Sequence, residues 1–352
     1  PKRLINVGDE SQIPFLVESS PSSQQVTWLS LSYCWGQEPS VKLSLDNLDA
    51  LKRGIPLETL DRTIQDAILV SRALNIPYIW IDALCITQDD DGKDWTEQAP
   101  KMSEIYGGSV LTLVVASEES VKDGFLKERE LRYIPIPRSS NQPDNFNDAG
   151  PITKVFLSPE WDKSNDHING HWTNRGWTMQ EGLLPSRLLH YTSSQMIWKC
   201  HEEIRFERGV TQCLQSAIEE VSAFSDDIAF GSGWIWKLDT FMIFKILPRY
   251  LPGNLDSRLL LEPETFRLWY NLIEEYTPRR FKNISDRLVA ISGLAQVFGN
   301  MIRCREYVAG LWKPDLIRGL MWHVEGAKLV PRRSTETMRA VNADFPSWSW
   351  AS

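Results

Sequence analysis

The sequence predicts an α/β fold, with a mostly parallel sheet core followed by a mainly helical C-terminal lobe. Three observations carry that prediction. Short apolar runs at 26–33, 78–82 and 109–116 are separated by segments of helical period, and strand–helix alternation with right-handed crossovers builds a parallel sheet. The helical period returns beyond about 215. The 352 residues are 42% hydrophobic and 24% charged, which supplies apolar mass for two or three compact units.

Residues 26–33 (VTWLSLSY) alternate in an extended pattern and end at a polar turn, Gly36-Gln37-Glu38-Pro39-Ser40. From 63 to 74, Ile64, Ala67, Ile68 and Leu74 share a helical face, with Thr63 and Asp66 at capping-box spacing, and Pro77 ends the pattern. Residues 78–82 (YIWID) suit a strand buried on both faces. After the acidic loop Asp89-Asp90-Asp91-Gly92, a helix is expected over 95–106, with Pro100 tolerable only near its start. Residues 109–116 (SVLTLVVA) read as a third buried strand, and the Pro, Asn, Asp and Ser-rich stretch 134–151 as an exposed insertion. A short helix over 175–184 precedes a hairpin of strands 188–191 and 195–206 around Ser193-Ser194. Further on, Phe266, Trp269, Tyr270 and Ile273 form one helical stripe, and Leu288, Ile291, Ala295 and Phe298 another behind a Ser285 cap. The expected division is a core over 1–214 and a helical lobe over 215–352 packed on it.

Charge and motifs exclude several function classes. With 38 Lys and Arg against 46 Asp and Glu, the net charge is −8, which argues against a nucleic-acid or anionic-lipid partner. No apolar run approaches the ~18 residues a membrane span needs, and the first ten residues lack a signal-peptide core. Five widely spaced cysteines, Cys34, Cys85, Cys200, Cys213 and Cys304, do not form a disulfide framework and favour a reducing, cytoplasmic setting. The five histidines, His167, His171, His190, His201 and His323, stand at no recognised metal spacing, so no metal is expected. Dinucleotide-binding, phosphate-loop, zinc-protease and serine-hydrolase motifs are absent.

Topology then points to a site. Ligands of open α/β sheets bind outside the carboxyl ends of the strands. The first strand ends in Ser32-Tyr33-Cys34-Trp35-Gly36 and the second in Asp82-Ala83-Leu84-Cys85-Ile86-Thr87-Gln88, so parallel strands would bring a phenol, an indole, a carboxylate, two thiols and the Gln88 amide to one rim. Asp82 either does acid–base work there, its pKa raised by desolvation, or caps the following loop. Cys34 and Cys85 are either nucleophiles or small buried apolar groups. In Asn174-Arg175-Gly176-Trp177-Thr178-Met179-Gln180-Glu181, Arg175 could hold an anionic group and Glu181 act as base, or the two could form structural ion pairs.

LSLSYCWG ending at 36, YIWIDALCITQDD at 78–90, DWTEQAPKMSEIYGGSVLTLVVAS at 94–117 and NRGWTMQEGLLPSRLLHY at 174–191 closely resemble the fungal heterokaryon incompatibility (HET) domain. The likeness continues through SDRLVAISGLA at 285–295, YVAGLW at 307–312 and FPSWSWAS at 345–352. The resemblance implies an architecture like that of flavodoxin and Toll/interleukin-1 receptor (TIR) domains, and a role in nonself recognition ending in programmed cell death. The TIR likeness implies a nucleotide-binding cleft, with NAD as a candidate substrate, and no fixed cofactor is implied. Where family members often carry Glu three residues after the Trp of the DW segment, this chain has Gln98, which leaves the carboxylate role to Asp82 or Glu181. Tyr33, Trp35, Gln88, Arg175 and Trp177 would then line the substrate. Two other readings stay open: a stand-alone lyase, isomerase or hydrolase of small molecules, and a non-catalytic module that self-associates or recruits other cell-death proteins.

Overall fold

The structure, a computed structural model, describes residues 1–18, 26–128, 134–136, 155–157, 170–207, 211–213, 263–323 and 345–352. The chain opens with two strands that the sequence pattern does not announce, β1 (Arg3–Asn6) and β2 (Phe15–Glu18), paired antiparallel. The first predicted strand is β3 (Leu29–Ser32), shorter than 26–33 and buried at every residue. Its two serines lie in the interior, so their hydroxyls need partners. Ser30 finds the hydroxyls of Thr112 at 2.7 Å and Ser109 at 3.1 Å.

Helix α1 (Leu48–Arg53) leads to α2 (Arg62–Ala73), which buries Ile64, Ala67 and Ile68 as its spacing predicts. The capping box does not form. Thr63 and Asp66 instead bind the backbone of a distant loop: Gly124 N–H donates to Thr63 Oγ1 at 3.2 Å and Phe125 N–H to Asp66 Oδ2 at 2.8 Å. β4 (Tyr78–Trp80) follows, and Asp82 begins a single helical turn, α3 (Asp82–Cys85), so the predicted strand 78–82 stops two residues early. The helix expected over 95–106 divides into α4 (Lys93–Gln98) and α5 (Met102–Gly108), separated by a tight turn at Ala99–Lys101. Pro100 explains the break, because it lacks the N–H and crowds the preceding turn. β5 (Leu111–Val115) is buried throughout.

Ile134–Ile136 (β6) and Val155–Leu157 (β7) pair as a separate antiparallel ribbon, so the start of the predicted insertion is a strand. Its remainder, residues 137–151, lies outside the described residues, as do His167 and the boundary expected at 214/215. α6 (Thr178–Leu183) precedes β8 (Arg187–Tyr191), β9 (Met196–Cys200), β10 (Glu203–Phe206) and β11 (Thr211–Cys213). The segment 195–206, predicted as one strand, is therefore two, broken at His201 and Glu202. The C-terminal lobe is helical: α7 (Pro263–Tyr276) and α8 (Asp286–Met301) are followed by a small ribbon, β12 (Tyr307–Val308) with β13 (Leu311–Trp312), and α9 (Leu316–Gly319). Ser285 precedes α8 but makes no capping bond.

Nine strands form the main sheet in the order β11-β10-β9-β8-β5-β3-β4-β1-β2. The four central strands β8, β5, β3 and β4 run parallel, with Leu29 opposite both Ile79 and Leu111. Antiparallel strands extend the sheet on both sides. Leu29, Ile79 and Leu113 have no exposed surface, and such burial contributes about 1.5–3 kcal/mol for each side chain. A second apolar cluster, built on Trp269, Phe298 and Trp312, forms the C-terminal lobe, and Trp177 and Leu184 pack against both clusters.

The N-terminal edge is tied to the middle of the chain by a buried ion pair. Arg3 Nη1 donates to Asp94 Oδ2 at 2.6 Å and to the Cys85 carbonyl at 3.0 Å, while Thr87 N–H and Lys2 Nζ also bind Asp94, each at 2.8 Å. Burial alone would raise the Asp94 pKa, but Lys2, the Thr87 N–H and Arg3 more than offset it and hold the carboxyl at about 2. Because the folded value lies below the ordinary 3.8, the contribution to stability is present above pH 4 and is lost as the pH falls towards 2. Asp94→Ala leaves Arg3 buried without its partner, and denaturant unfolding at pH 7 should show a loss of about 3 kcal/mol. At pH 2 that difference should largely vanish.

Candidate functional site

Parallel pairing sends the carboxyl ends of β3 and β4 to the same edge, and the two predicted loops do share a rim. Trp35 Nε1 donates to Asp82 Oδ2 at 2.9 Å, and the Ala83 N–H donates to Oδ1 at 2.7 Å. Asp82 therefore binds the N–H of its neighbour at the start of the helical turn and also faces the first loop. The Tyr33 hydroxyl lies close enough to feel the same carboxylate, yet no group completes a well-formed hydrogen bond to it. Burial is the main cause that raises the Asp82 pKa, opposed by Arg175, the Ala83 N–H, Tyr33 and Trp35. The same burial pushes the Tyr33 phenol well up.

The 174–181 segment closes this rim from the other side. Arg175 donates through Nη1 to the Tyr33 carbonyl, which joins the segment to the end of β3. Its guanidinium interacts with Glu181, Cys34 and Asp82, and those neighbours raise its pKa although burial works against them. Glu181, on the first turn of α6, is 6% exposed. Its carboxylate accepts from the Ser32 hydroxyl, and Trp172 Nε1 donates to Ser32 Oγ at 2.7 Å. Desolvation raises the Glu181 pKa to about 7, with Asp82 adding to the rise and Arg175 and Ser32 opposing it. One guanidinium thus serves two desolvated carboxylates beside a phenol and an indole, an arrangement able to stabilise a cation or to take a proton near neutral pH.

Residues 28–181 match the family model described as heterokaryon incompatibility protein (HET), a span that begins at β3 and ends at Glu181. Over these residues the chain is similar to the HET family. No curated protein and no solved structure matches the chain. The HET segment contains the rim's carboxylates, guanidinium, phenol and indole, while β1, β2, the strands after α6 and the helical lobe lie outside it.

Not every predicted residue joins the group. Trp177 turns to the C-terminal lobe: its indole N–H donates to Asp286 Oδ2 at 3.2 Å, and its ring meets Trp95 edge-on at 5.1 Å. Gln88 is exposed, and its amide donates to the Ile86 carbonyl at 2.8 Å. Cys85 packs in the core, where burial pushes its thiol to about 12. Cys34 lies beside Arg175, but burial raises its thiol too, so neither cysteine is held as a thiolate. The sequence reading passed over Ser32, Trp172 and Arg279. Arg279 Nη1 lies 3.2 Å from Thr178 Oγ1 and 3.3 Å from the Arg175 carbonyl. A signal for Ser32 existed in the LSLS pattern, since a hydroxyl inside a buried strand must be paired.

A raised carboxyl pKa implies a stability cost with a definite sign. The folded chain holds the Glu181 proton more tightly than the unfolded chain does, so the contribution is present below pH 4.5 and is lost as the pH rises through 7. Glu181→Gln, uncharged at any pH, should be more stable than the native chain at pH 8 by on the order of 3 kcal/mol. Melting curves should converge near pH 4.5, and equal melting temperatures at pH 8 would mean that Glu181 ionises without penalty.

Proposed function

We propose that this HET-family chain is a cell-death effector of nonself recognition whose rim binds a nucleotide and cleaves the N-glycosidic bond of NAD. The observation that carries this reading is the pairing of Asp82 and Glu181, both with raised pKa values, around Arg175 at the carboxyl ends of parallel strands. The TIR-like ancestry implied by the family agrees with it, as a fold-level analogy.

The chemistry asked of the site is modest. Nicotinamide leaves as a neutral base, because the electrons of the breaking C1′–N1 bond cancel the positive charge of the ring. What remains is an oxocarbenium-like ribose, which a nearby carboxylate stabilises. Water then forms the new C1′–O bond, and its proton passes to a carboxylate and on to solvent. Glu181 fits the base role because its pKa stands near the working pH. Asp82 supplies the second negative charge, Arg175 a contact to phosphate, and Tyr33 and Trp35 the walls. Both thiols, raised by burial, fit this scheme as packing groups.

Purified protein incubated with NAD should release nicotinamide and ADP-ribose in equal amounts, with kcat rising as the pH passes through about 7 and Glu181 loses its proton. Glu181→Gln and Asp82→Asn should each lower kcat by about 100-fold or more. No nicotinamide release at high protein concentration, with the chain shown to be folded, would remove the enzymatic reading.

One observation favours assembly as a second reading. Ile317, Leu320, Met321, Trp322 and Trp348 are all exposed around the end of α9, with Trp322 Nε1 donating to the Trp348 carbonyl at 2.9 Å. Exposed apolar residues gathered in this way mark interaction surfaces. If the chain signals by self-association, Ile317→Asp with Met321→Asp should abolish growth arrest in an expressing cell while NAD cleavage stays unchanged. Growth arrest that persists in this variant and disappears in Glu181→Gln assigns the effect to chemistry.

A further inference from the structure

We infer that Trp172 and Ser32 are positioning residues for Glu181: together they reserve its Oε2 as a fixed acceptor and leave Oε1 as the oxygen that takes and gives the proton. The inference rests on the reading of Glu181 as the working carboxylate and assigns a division of labour within it.

Two hydrogen bonds lead from the framework to Glu181. An indole N–H is a donor only. Trp172 Nε1, 2.7 Å from Ser32 Oγ, therefore occupies an acceptor lobe of that oxygen. With one lone pair of Ser32 Oγ taken by the indole, its O–H is directed to Glu181 Oε2. Ser32 is 1% exposed and Trp172 is 7% exposed, so water does not compete for either position. Ser32 ends a central strand whose backbone is held by β5, which fixes the origin of the bond. The Trp172 ring is braced by His190 on β8, edge-on at 5.7 Å, and by the nearby Gly182 of α6. The chain indole to hydroxyl to carboxylate thus runs one way, from framework to reacting group.

Two consequences follow. A hydroxyl that donates to Glu181 stabilises the carboxylate more than the carboxylic acid, so it holds the Glu181 pKa below the value burial would otherwise impose. A proton taken up at Oε2 would face the Ser32 O–H and break that bond, so uptake at Oε1 is favoured. The other charged or titratable groups that face Glu181 are Arg175, Asp82 and Cys34 on the rim, Tyr106 on α5, and Arg279 beyond α7. The charged groups and Tyr106 do not depend on Ser32 for their place: Arg175 is bound to the Tyr33 carbonyl, Asp82 to Trp35, Tyr106 to the Leu31 carbonyl, and Arg279 to the Arg175 carbonyl.

The test is a titration without substrate, so its outcome stands apart from whether NAD is cleaved. Infrared difference spectra across pH 4 to 10, with Glu181→Gln as the blank, give the titration midpoint of the Glu181 carboxyl. Ser32→Ala should move that midpoint upward by about one pH unit. Trp172→Phe keeps the ring volume but frees the Ser32 hydroxyl to rotate, and should move the midpoint in the same direction by less. Ser32→Thr keeps a hydroxyl on the strand and should restore the native value. Circular dichroism on each variant checks that the fold is retained. A midpoint unchanged in Ser32→Ala, or one that moves in Trp172→Phe and not in Ser32→Ala, overturns the assignment. Failure of NAD cleavage alongside the expected shifts would refute the reaction and leave this hydrogen-bond relay standing.

Discussion

The parallel register of β3 between β4 and β5 is the constraint on which the rest of the molecule depends. Parallel strands need long crossovers, which α2 and the α3–α5 series supply, and they bring successive carboxyl ends to one edge. That geometry, and no local feature of the loops, makes neighbours of Trp35 and Asp82, 47 residues apart in the chain. It also sets Ser32 where Glu181, 149 residues further on, can reach it. The centre of the sheet excludes water from both faces, so a polar group delivered to its edge arrives partly desolvated. The raised pKa values of Asp82 and Glu181 are a consequence of the sheet before they are a property of the site.

Buried carboxylates elsewhere show that this outcome is not automatic. Asp94 and Glu181 both present little surface to solvent, 4% and 6%, yet the two shift in opposite directions. The difference lies in the partners. Asp94 has Arg3, Lys2 and the Thr87 N–H on its two oxygens, donors enough to outweigh burial. Glu181 has the Ser32 hydroxyl, and shares one guanidinium with Asp82 and Cys34. A carboxylate with its own cation is structural, whereas one that must share its cation is left poised. Asp94 lies two residues past the acidic loop, and the pairing with Arg3 separates it from a solvated charge.

The same distinction explains how much was legible in advance. All-apolar runs such as YIW and LTLVV declare themselves, because a strand buried on both faces has no polar side to conceal its period. The rim followed from them by topology. β1 escaped notice because Arg3 reads as a surface charge until Asp94, 91 residues away, is placed against it. Thr63 and Asp66 fitted a local cap, but the nearby 121–126 loop offers N–H groups that lack partners of their own, and these took the side chains instead. Trp177 was grouped with the rim by sequence proximity to Arg175, yet it stands at the entry to α6 and its indole faces Asp286. Local pattern identified the elements; pairings over long sequence separations decided which polar residues work and which hold the frame.

The helical lobe has a part in the site although it lies beyond the HET segment. Its 279–281 stretch runs beside the loop that carries Arg175: Gly176 N–H donates to the Arg280 carbonyl at 2.9 Å, and Arg280 N–H to the Asn174 carbonyl at 2.6 Å. The Phe281 ring occupies the space that a side chain on residue 176 would need, so only glycine permits this approach. Arg279 then bonds Thr178 and the Arg175 carbonyl at the start of α6. Arg175 and Glu181 are therefore held from two directions, by Tyr33 and Ser32 on the sheet and by the lobe across the loop. A segment clamped on both sides loses little freedom when it meets a ligand, which is the energetic meaning of preorganisation. The HET segment supplies the charged groups and, through Tyr33 and Ser32, one side of their support, and the lobe outside it supplies the other.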